Sequence, residues 1–286
     1  MGNQLFPLMK AYTFAYLNKL PVIVTDYNQV KIGPYLRREK TKRNYSGYFT
    51  FQKSILSEQL DKLKLGKFKD HQQEIEPPVK MMAEEDVNCA YIFSAMPHWD
   101  NYFDGLMENR DLVIELLSKL ISADVLEKVK QFTRPCIGVH IRMGDFRKLK
   151  EHEDFSKVGA VRTPEKYFIE VINSIRKIHG TNLPVSVFTD GFRKEFEELF
   201  TLNNICLVEG NSDIVDLLLL SRSKIIVTSA GSTFSYWAGF LSEACLIMHP
   251  AHVNTFIRPA NVSDKLYQGA FDPSNSLLVN SIMNIL

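Results

Sequence analysis

The chain has 286 residues, 45% of them hydrophobic and 23% charged, a balance that excludes a disordered or fibrous polymer and leaves room for two domains. Its 34 basic residues against 33 acidic ones leave a formal charge of +1, so no global field points to nucleic acid. No stretch reaches the roughly 18 to 20 apolar residues of a membrane span.

At the start of the chain, a helix is expected over 5–17 and a strand over 21–25. The first apolar run lacks the basic start and small-residue cleavage site of a secretion signal, so a cytoplasmic location is expected. Residues 31–70 are basic and patternless, and include Arg37-Arg38-Glu39-Lys40-Thr41-Lys42-Arg43. The plain reading of that run is a solvated loop. The sharper one is a surface for an anionic membrane or a polyanionic substrate, hence a possible peripheral contact with the inner face of a membrane. Pro77-Pro78 and Glu84-Glu85-Asp86 interrupt the pattern again. A long helix over 106–130, striped by Leu112, Val113, Leu116, Leu117 and Leu120, then leads to Thr133-Arg134-Pro135, a natural boundary between domains at 1–133 and 134–286.

The second half is the better ordered. Strand-like runs occur at 136–141, 184–188, 205–208, 224–228 and 245–249, with shorter helices over 192–200, 213–222 and 233–243. Thr163-Pro164 marks a helix start, with Thr163 as N-cap, followed by an apolar stripe of Tyr167, Phe168, Val171, Ile172, Ile175 and Ile178. Apolar strands alternating with helices predict a parallel sheet covered on both faces, a doubly wound α/β domain. The run 217–220, all leucine, stops at Ser221-Arg222 and reads as a buried helix. Cys89, Cys136, Cys206 and Cys245 lie far apart and read as small buried hydrophobes, not as disulfides or a zinc site. Asn44-Tyr45-Ser46 and Asn261-Val262-Ser263 match the glycosylation sequon and, without a secretion signal, are taken as chance matches.

Three places carry chemistry. The run 136–139 leads into His140-Ile141-Arg142-Met143-Gly144-Asp145, where alternation puts His140 and Arg142 on one face. Arg142 cannot shed its charge and needs an anionic partner, either a protein carboxylate or a ligand phosphate. Its place at the carboxyl end of a parallel strand favours the phosphate. Ser229-Ala230-Gly231-Ser232-Thr233-Phe234-Ser235 follows another strand and opens a helix, so hydroxyls and free N–H groups converge where the helix dipole favours an anion, with Gly231 permitting close backbone approach. The alternative is a serine-rich cap that merely starts the helix. Two such junctions in one sheet make a diphosphate site the better reading, and no Walker lysine loop or Gly-x-Gly-x-x-Gly is present. Third, Asp216 sits on an otherwise apolar helix. It is either a buried carboxylate for a guanine edge or ribose, or an exposed acid of the first turn, and alone the second is the better reading.

Met1-Gly2-Asn3-Gln4-Leu5-Phe6, then His140 to Asp145, then Ser232-Thr233-Phe234-Ser235-Tyr236-Trp237 resemble, in order, the three motifs of the bacterial α-1,2-fucosyltransferases. Trp99-Asp100-Asn101-Tyr102-Phe103 and Phe188-Thr189-Asp190 sit where similar segments of that family would. The resemblance implies a GT-B-like fold of two Rossmann-like doubly wound domains, with 1–133 on the acceptor side and 134–286 binding the nucleotide sugar. It implies inverting transfer of fucose from GDP-fucose to a hydroxyl of a glycan with terminal galactose. By position, Arg142 would hold the β-phosphate and stabilise the departing GDP, His140 and Asp216 would face the guanosine, and Ser232, Thr233, Phe234 and Ser235 would cradle the diphosphate. Asn3 would lie on a glycine-rich turn near the same phosphates.

No Asp-x-Asp occurs, and no His/Cys pair has zinc spacing, so metal independence is expected and no cofactor beyond the donor substrate. The general base stays unnamed. Asp145, Glu151, Glu153 and Asp154 are available, with Asp145 favoured as structural support for Arg142. Two departures from the family pattern stand out. Met1 falls inside the first motif, so the N-terminal domain is expected to lack its first strand, and a non-catalytic GDP-sugar-binding relative is the alternative function. Met143 occupies a place where the family usually has a second basic residue.

Overall fold

The structure is a computed structural model and describes residues 1–25, 27, 32–52, 55–66, 72–84, 89–98, 101–252 and 256–285. The first half holds α1 (Gly2–Asn18), α2 (Ile32–Leu36), α3 (Ile55–Gly66), β1 (Gln72–Ile75), β2 (Cys89–Ile92), α4 (Arg110–Leu120) and α5 (Ala123–Lys130). The second holds β3 (Ile137–Ile141), α6 (Glu165–His179), β4 (Val185–Thr189), β5 (Ile205–Leu207), α7 (Asp213–Ser221) and β6 (Ile225–Val227). It continues through α8 (Thr233–Leu241), β7 (Cys245–Met248), α9 (Ala260–Ser263), β8 (Gln268–Ala270) and α10 (Ser276–Met283).

The large sheet runs β5-β4-β3-β6-β7-β8 with every pairing parallel. The chain starts in the middle at β3, moves outward to β5, then crosses back to β6 and proceeds to the other edge. That is the doubly wound order, and the reversal between β3 and β6 opens a crevice at the strands' carboxyl ends. Alternation sorts the side chains by face. Ile137, Val139, Ile141, Val227 and Ile247 pack with Phe168 and Ile172 of α6 and Leu278 and Ile282 of α10. Ile226, Leu246 and Met248 face Leu217 and Leu220 of α7 and Trp237 and Phe240 of α8.

The first half lies on that second layer. α1 and α4 contact α8, and α5 contacts α7. Phe6 of α1 meets Trp237 at 5.0 Å between ring centroids, and Phe103 stacks on Phe240 at 4.5 Å. α8 is therefore covered on two sides, which explains why its run of Tyr236, Trp237, Ala238, Gly239 and Phe240 is buried all round.

Several expectations need correction. Residues 21–25 form no strand, because no neighbouring chain supplies a ladder partner among the described residues. Among the described residues the first half contributes the parallel pair β1–β2 and an isolated bridge between Phe49 and Ile121, and no second large sheet. The helix expected over 106–130 breaks at Ile121, which is extended with ψ 136°. The segment 48–50 takes its hydrogen bonds: Ser122 N–H donates to the Tyr48 carbonyl at 2.9 Å, and Thr50 N–H to the Leu120 carbonyl at 2.7 Å. Residues 192–200 form two 3-10 turns, Arg193–Glu195 and Glu198–Thr201, in place of one helix. None of the cysteines is disulfide-bonded, but only Cys245 of the four is buried: Cys89 and Cys136 are half-buried, and Cys206 is exposed, because β5 is an edge strand. β8 and α10 were not anticipated.

Candidate active site

A cleft of about 420 Å³ opens where the carboxyl ends of β3 and β6 diverge. Arg142, His140, Asp145, Ser232, Thr233, Phe234, Asp216 and Asn3 all line it, although they come from four separate parts of the chain. Ser235 does not line it. It is fully buried, and its hydroxyl donates to the Ser232 carbonyl at 3.1 Å.

Arg142 leaves the end of β3 with its backbone and side chain both fastened. Its N–H donates to Ser229 Oγ at 2.8 Å, and that hydroxyl in turn donates to the His140 carbonyl at 2.8 Å, tying the β3 and β6 loops together. Nη2 donates to Asp145 Oδ1 at 2.6 Å and Nη1 pairs with Asp190 Oδ2. Asp190 Oδ1 also accepts from the Met143 N–H at 2.7 Å. Both of Arg142's partners here are thus protein carboxylates, although a phosphate was the favoured reading. Two of its five N–H groups serve them, which orients the fork and leaves donors for a ligand. Burial alone would raise the Asp145 carboxyl, but Arg142 and Arg43 outweigh it and hold it below its ordinary value.

His140 is buried, its ring stacked on Phe234 at 4.7 Å, with Nδ1 3.4 Å from Ser232 Oγ. Burial, with the nearby Arg142 charge second, lowers its pKa to about 3, so the imidazole is neutral at ordinary pH. Thr233 Oγ1 donates to Asn3 Oδ1 at 2.5 Å, joining the first turn of α8 to the first turn of α1. Asn3 therefore sits on a helix rather than on the expected glycine-rich turn. Asp216 accepts from Asn211 Nδ2 at 3.1 Å and faces the cleft instead of open solvent. Burial pushes its pKa up to about 7 despite that bond. Asp213, one turn earlier, is raised by burial too, with Asp190 adding to the shift.

The loop before α8 differs in detail from a simple phosphate cradle. Ala230 N–H donates to Thr163 Oγ1 at 2.9 Å and Gly231 N–H to Tyr236 Oη at 2.9 Å, so both are already used. The donors left for an anion are the first-turn N–H groups of α8 and the Ser232 hydroxyl, the Thr233 hydroxyl being held by Asn3. Thr163 does not cap its own helix, which begins at Glu165 after Pro164. Gly231 is required by its φ of 65° rather than by crowding, since a Cβ there would meet nothing within 4 Å. At the far end of α8 two buried arginines bind the carbonyls. Arg110 donates to Phe240 and Ser242, at 2.7 and 2.8 Å, and Arg258 to Gly239 and Ala244, both at 2.9 Å.

The sequence reading missed Asp190 as Arg142's partner, Ser229 as the bolt between two loops, and Arg43 in the cleft wall. Asp190 had a signal, since it follows the adjacent strand as Arg142 follows β3. Arg43 had none, because only folding brings 43 beside 145. The basic run 37–43 is partly neutralised within the protein: Arg37 and Arg43 both bind Glu39, and Lys40 binds Glu209. Trp99 and Asp100 lie outside the described residues. Tyr102 and Phe103 pack on Phe6, with ring centroids 5.5 and 5.1 Å away, so three of the motif-bearing segments meet in one aromatic cluster.

Among solved structures, the fucosyltransferase NodZ from Bradyrhizobium is similar at a TM-score of 0.52 and 12% identity, covering 88% of this chain and 93% of that one. The NodZ α-1,6-fucosyltransferase co-crystallised with GDP gives 0.51 at 12% identity, over 85% and 89%. The same enzyme soaked with GDP-fucose gives 0.50 at 11% identity, with the same coverage of 85% and 89%. These likenesses establish a shared fold. No curated protein matches the chain. The family model of glycosyl transferase family 11 matches residues 79–249, a span that contains Arg142, Asp190, Asp216 and the whole start of α8, and the chain belongs to that family.

Proposed function

We propose that this chain is an inverting glycosyltransferase that moves fucose from GDP-fucose to a galactose-type hydroxyl of a glycan, forming an α-1,2 linkage without a divalent cation. The observation that carries the reading is the meeting of Arg142 with the N-terminus of α8 in the crevice between β3 and β6. A fixed guanidinium and a helix N-terminus aimed at one point suit a leaving diphosphate. NodZ structures obtained with GDP and with GDP-fucose support a donor of that class, and the linkage follows the motif resemblance. The two halves are read as a GT-B arrangement, 1–133 on the acceptor side and 134–286 on the donor side.

In this mechanism the remaining N–H groups of Arg142 bind the β-phosphate, while the Ser232 hydroxyl and the first-turn N–H groups of α8, those of Thr233 and Phe234 among them, take the other oxygens. As the glycosidic C–O bond breaks, negative charge grows on the departing GDP, and donors already aimed there stabilise it without reorganisation, an effect worth roughly 3–4 kcal/mol per donor. The acceptor hydroxyl oxygen attacks from the opposite face, which inverts the anomeric carbon, and its proton passes to solvent water. His140 and Asp216 face the guanosine, and Asn3 positions Thr233. Asp145, held ionised between two guanidiniums, serves as support for Arg142 and is too weak a base for the acceptor proton.

The test is a thermal shift with GDP-fucose on the wild type and on Arg142→Ala. The wild type should be stabilised and the variant hardly at all, since a charged phosphate contact is worth roughly 1.5–3 kcal/mol. Equal shifts would remove Arg142 from the site, and no shift in either would remove the donor. Donor binding without turnover would mark a GDP-sugar-binding protein instead of an enzyme.

A further inference from the structure

We infer that Arg43, carried by the first half of the chain, is a second cation for the donor diphosphate, working beside Arg142 across the carboxylate they share. The inference rests on the GDP-sugar reading above and adds to it a residue outside the motifs.

Charge balance is the first argument. A sugar nucleotide brings a negative charge on each phosphate, and the cleft wall already contains Asp145, Asp190, Glu209, Asp213 and Asp216. Arg142 is matched by Asp145 and Asp190, and His140 is neutral. Among the described side chains, the remaining cations on the wall are Lys40 and Arg43: Lys40 is bound to Glu209 at 2.8 Å, outside the Arg142 cluster, whereas Arg43 shares Asp145 with Arg142. Met143 contributes none: it is buried in the core with Ile141 and Val187.

Geometry is the second. Asp145 is bracketed, Oδ1 accepting from Arg142 at 2.6 Å and Oδ2 from Arg43 Nη1 at 3.2 Å. The longer bond lies outside the ordinary range for a charge-assisted pair and is the one most readily exchanged for a ligand oxygen. Arg43 is nonetheless firmly placed. Its Nη2 binds Glu39 at 2.7 Å, and its side chain is only 17% exposed. Gly144 leaves room for it, since a Cβ there would come within 3.3 Å of Arg43 Nη2 and would also strike Asp190. The backbone of Arg43 is itself in the left-handed region, φ 57°, a conformation that costs a side-chain-bearing residue energy and tends to occur at functional sites.

The experiment measures dissociation constants for GDP and for guanosine by calorimetry on the wild type, Arg43→Ala and Arg43→Gln. A phosphate contact predicts at least tenfold weaker GDP binding in both variants, with guanosine binding changed less than about twofold. Unchanged GDP binding would overturn the inference and leave the GDP-sugar reading standing. Parallel loss for GDP and guanosine would also overturn it, assigning Arg43 a structural role only. Failure of the wild type to bind GDP would overturn the donor reading itself, and this inference with it.

Discussion

His140 and Asp216 show how one cleft holds two titrating groups in opposite states. The His140 pKa lies at about 3 when folded, below its unfolded value of roughly 6.5, so the unfolded chain binds more protons between them. Stability should therefore fall as pH drops below about 6.5. His140→Gln should flatten that limb in melting curves from pH 7 to 4, and an unchanged slope would contradict a buried neutral imidazole. Asp216 works the other way. Its pKa is raised to about 7, so the folded state holds the proton longer and the burden of the buried charge grows from about pH 4 up to pH 7. Asp216→Asn should raise the melting temperature at pH 8 and have little effect at pH 4. If the ionised carboxylate accepts from the guanine edge, GDP affinity should instead rise from pH 6 to 8 in the wild type and stay flat in Asp216→Asn. A flat wild-type profile would separate Asp216 from the base.

α8 is the element on which the site depends, and it is held at both ends. Arg110 and Arg258 bind the Phe240 and Gly239 carbonyls in its last turn, and Thr163 holds the loop that precedes it through the Ala230 N–H. Thr163→Val keeps the shape but leaves that buried N–H without an acceptor, which should cost roughly 1–3 kcal/mol. Chemical denaturation would measure it, and a loss under about 0.5 kcal/mol would mean the bond contributes no more than an ordinary surface group. The helix itself was legible from its serine-rich start and apolar body. Its anchoring was not, because Thr163 and Arg110 lie far from it in sequence, Thr163 reads as the cap of the helix that follows it, and nothing marks Arg110 or Arg258 as partners of α8.

Over the whole molecule, legibility follows how local the forces are. The second half could be read because β3, β6 and β7 are buried on both faces and α6 carries a single apolar stripe, signals that survive without knowledge of neighbours. The first half was read poorly. A strand at 21–25 needs a partner that is not found among the described residues, and the break at Ile121 is imposed by residues 48–50, some 70 positions earlier. The site divides in the same way. Arg142 and the start of α8 are visible because each sits at a strand end, whereas Asp190 and Ser229 enter through the strand order of the doubly wound sheet and Arg43 through the packing of the first half against it. That order also brings the central claim to a single reaction. GDP released from GDP-fucose should be measured with a galactose-terminated acceptor, in the presence of EDTA, for the wild type and Arg142→Ala. The account predicts acceptor-dependent release by the wild type that survives EDTA and falls at least a hundredfold in the variant, from loss of about 2.7 kcal/mol of leaving-group stabilisation. Release that needs added metal, or that persists in Arg142→Ala, would contradict it.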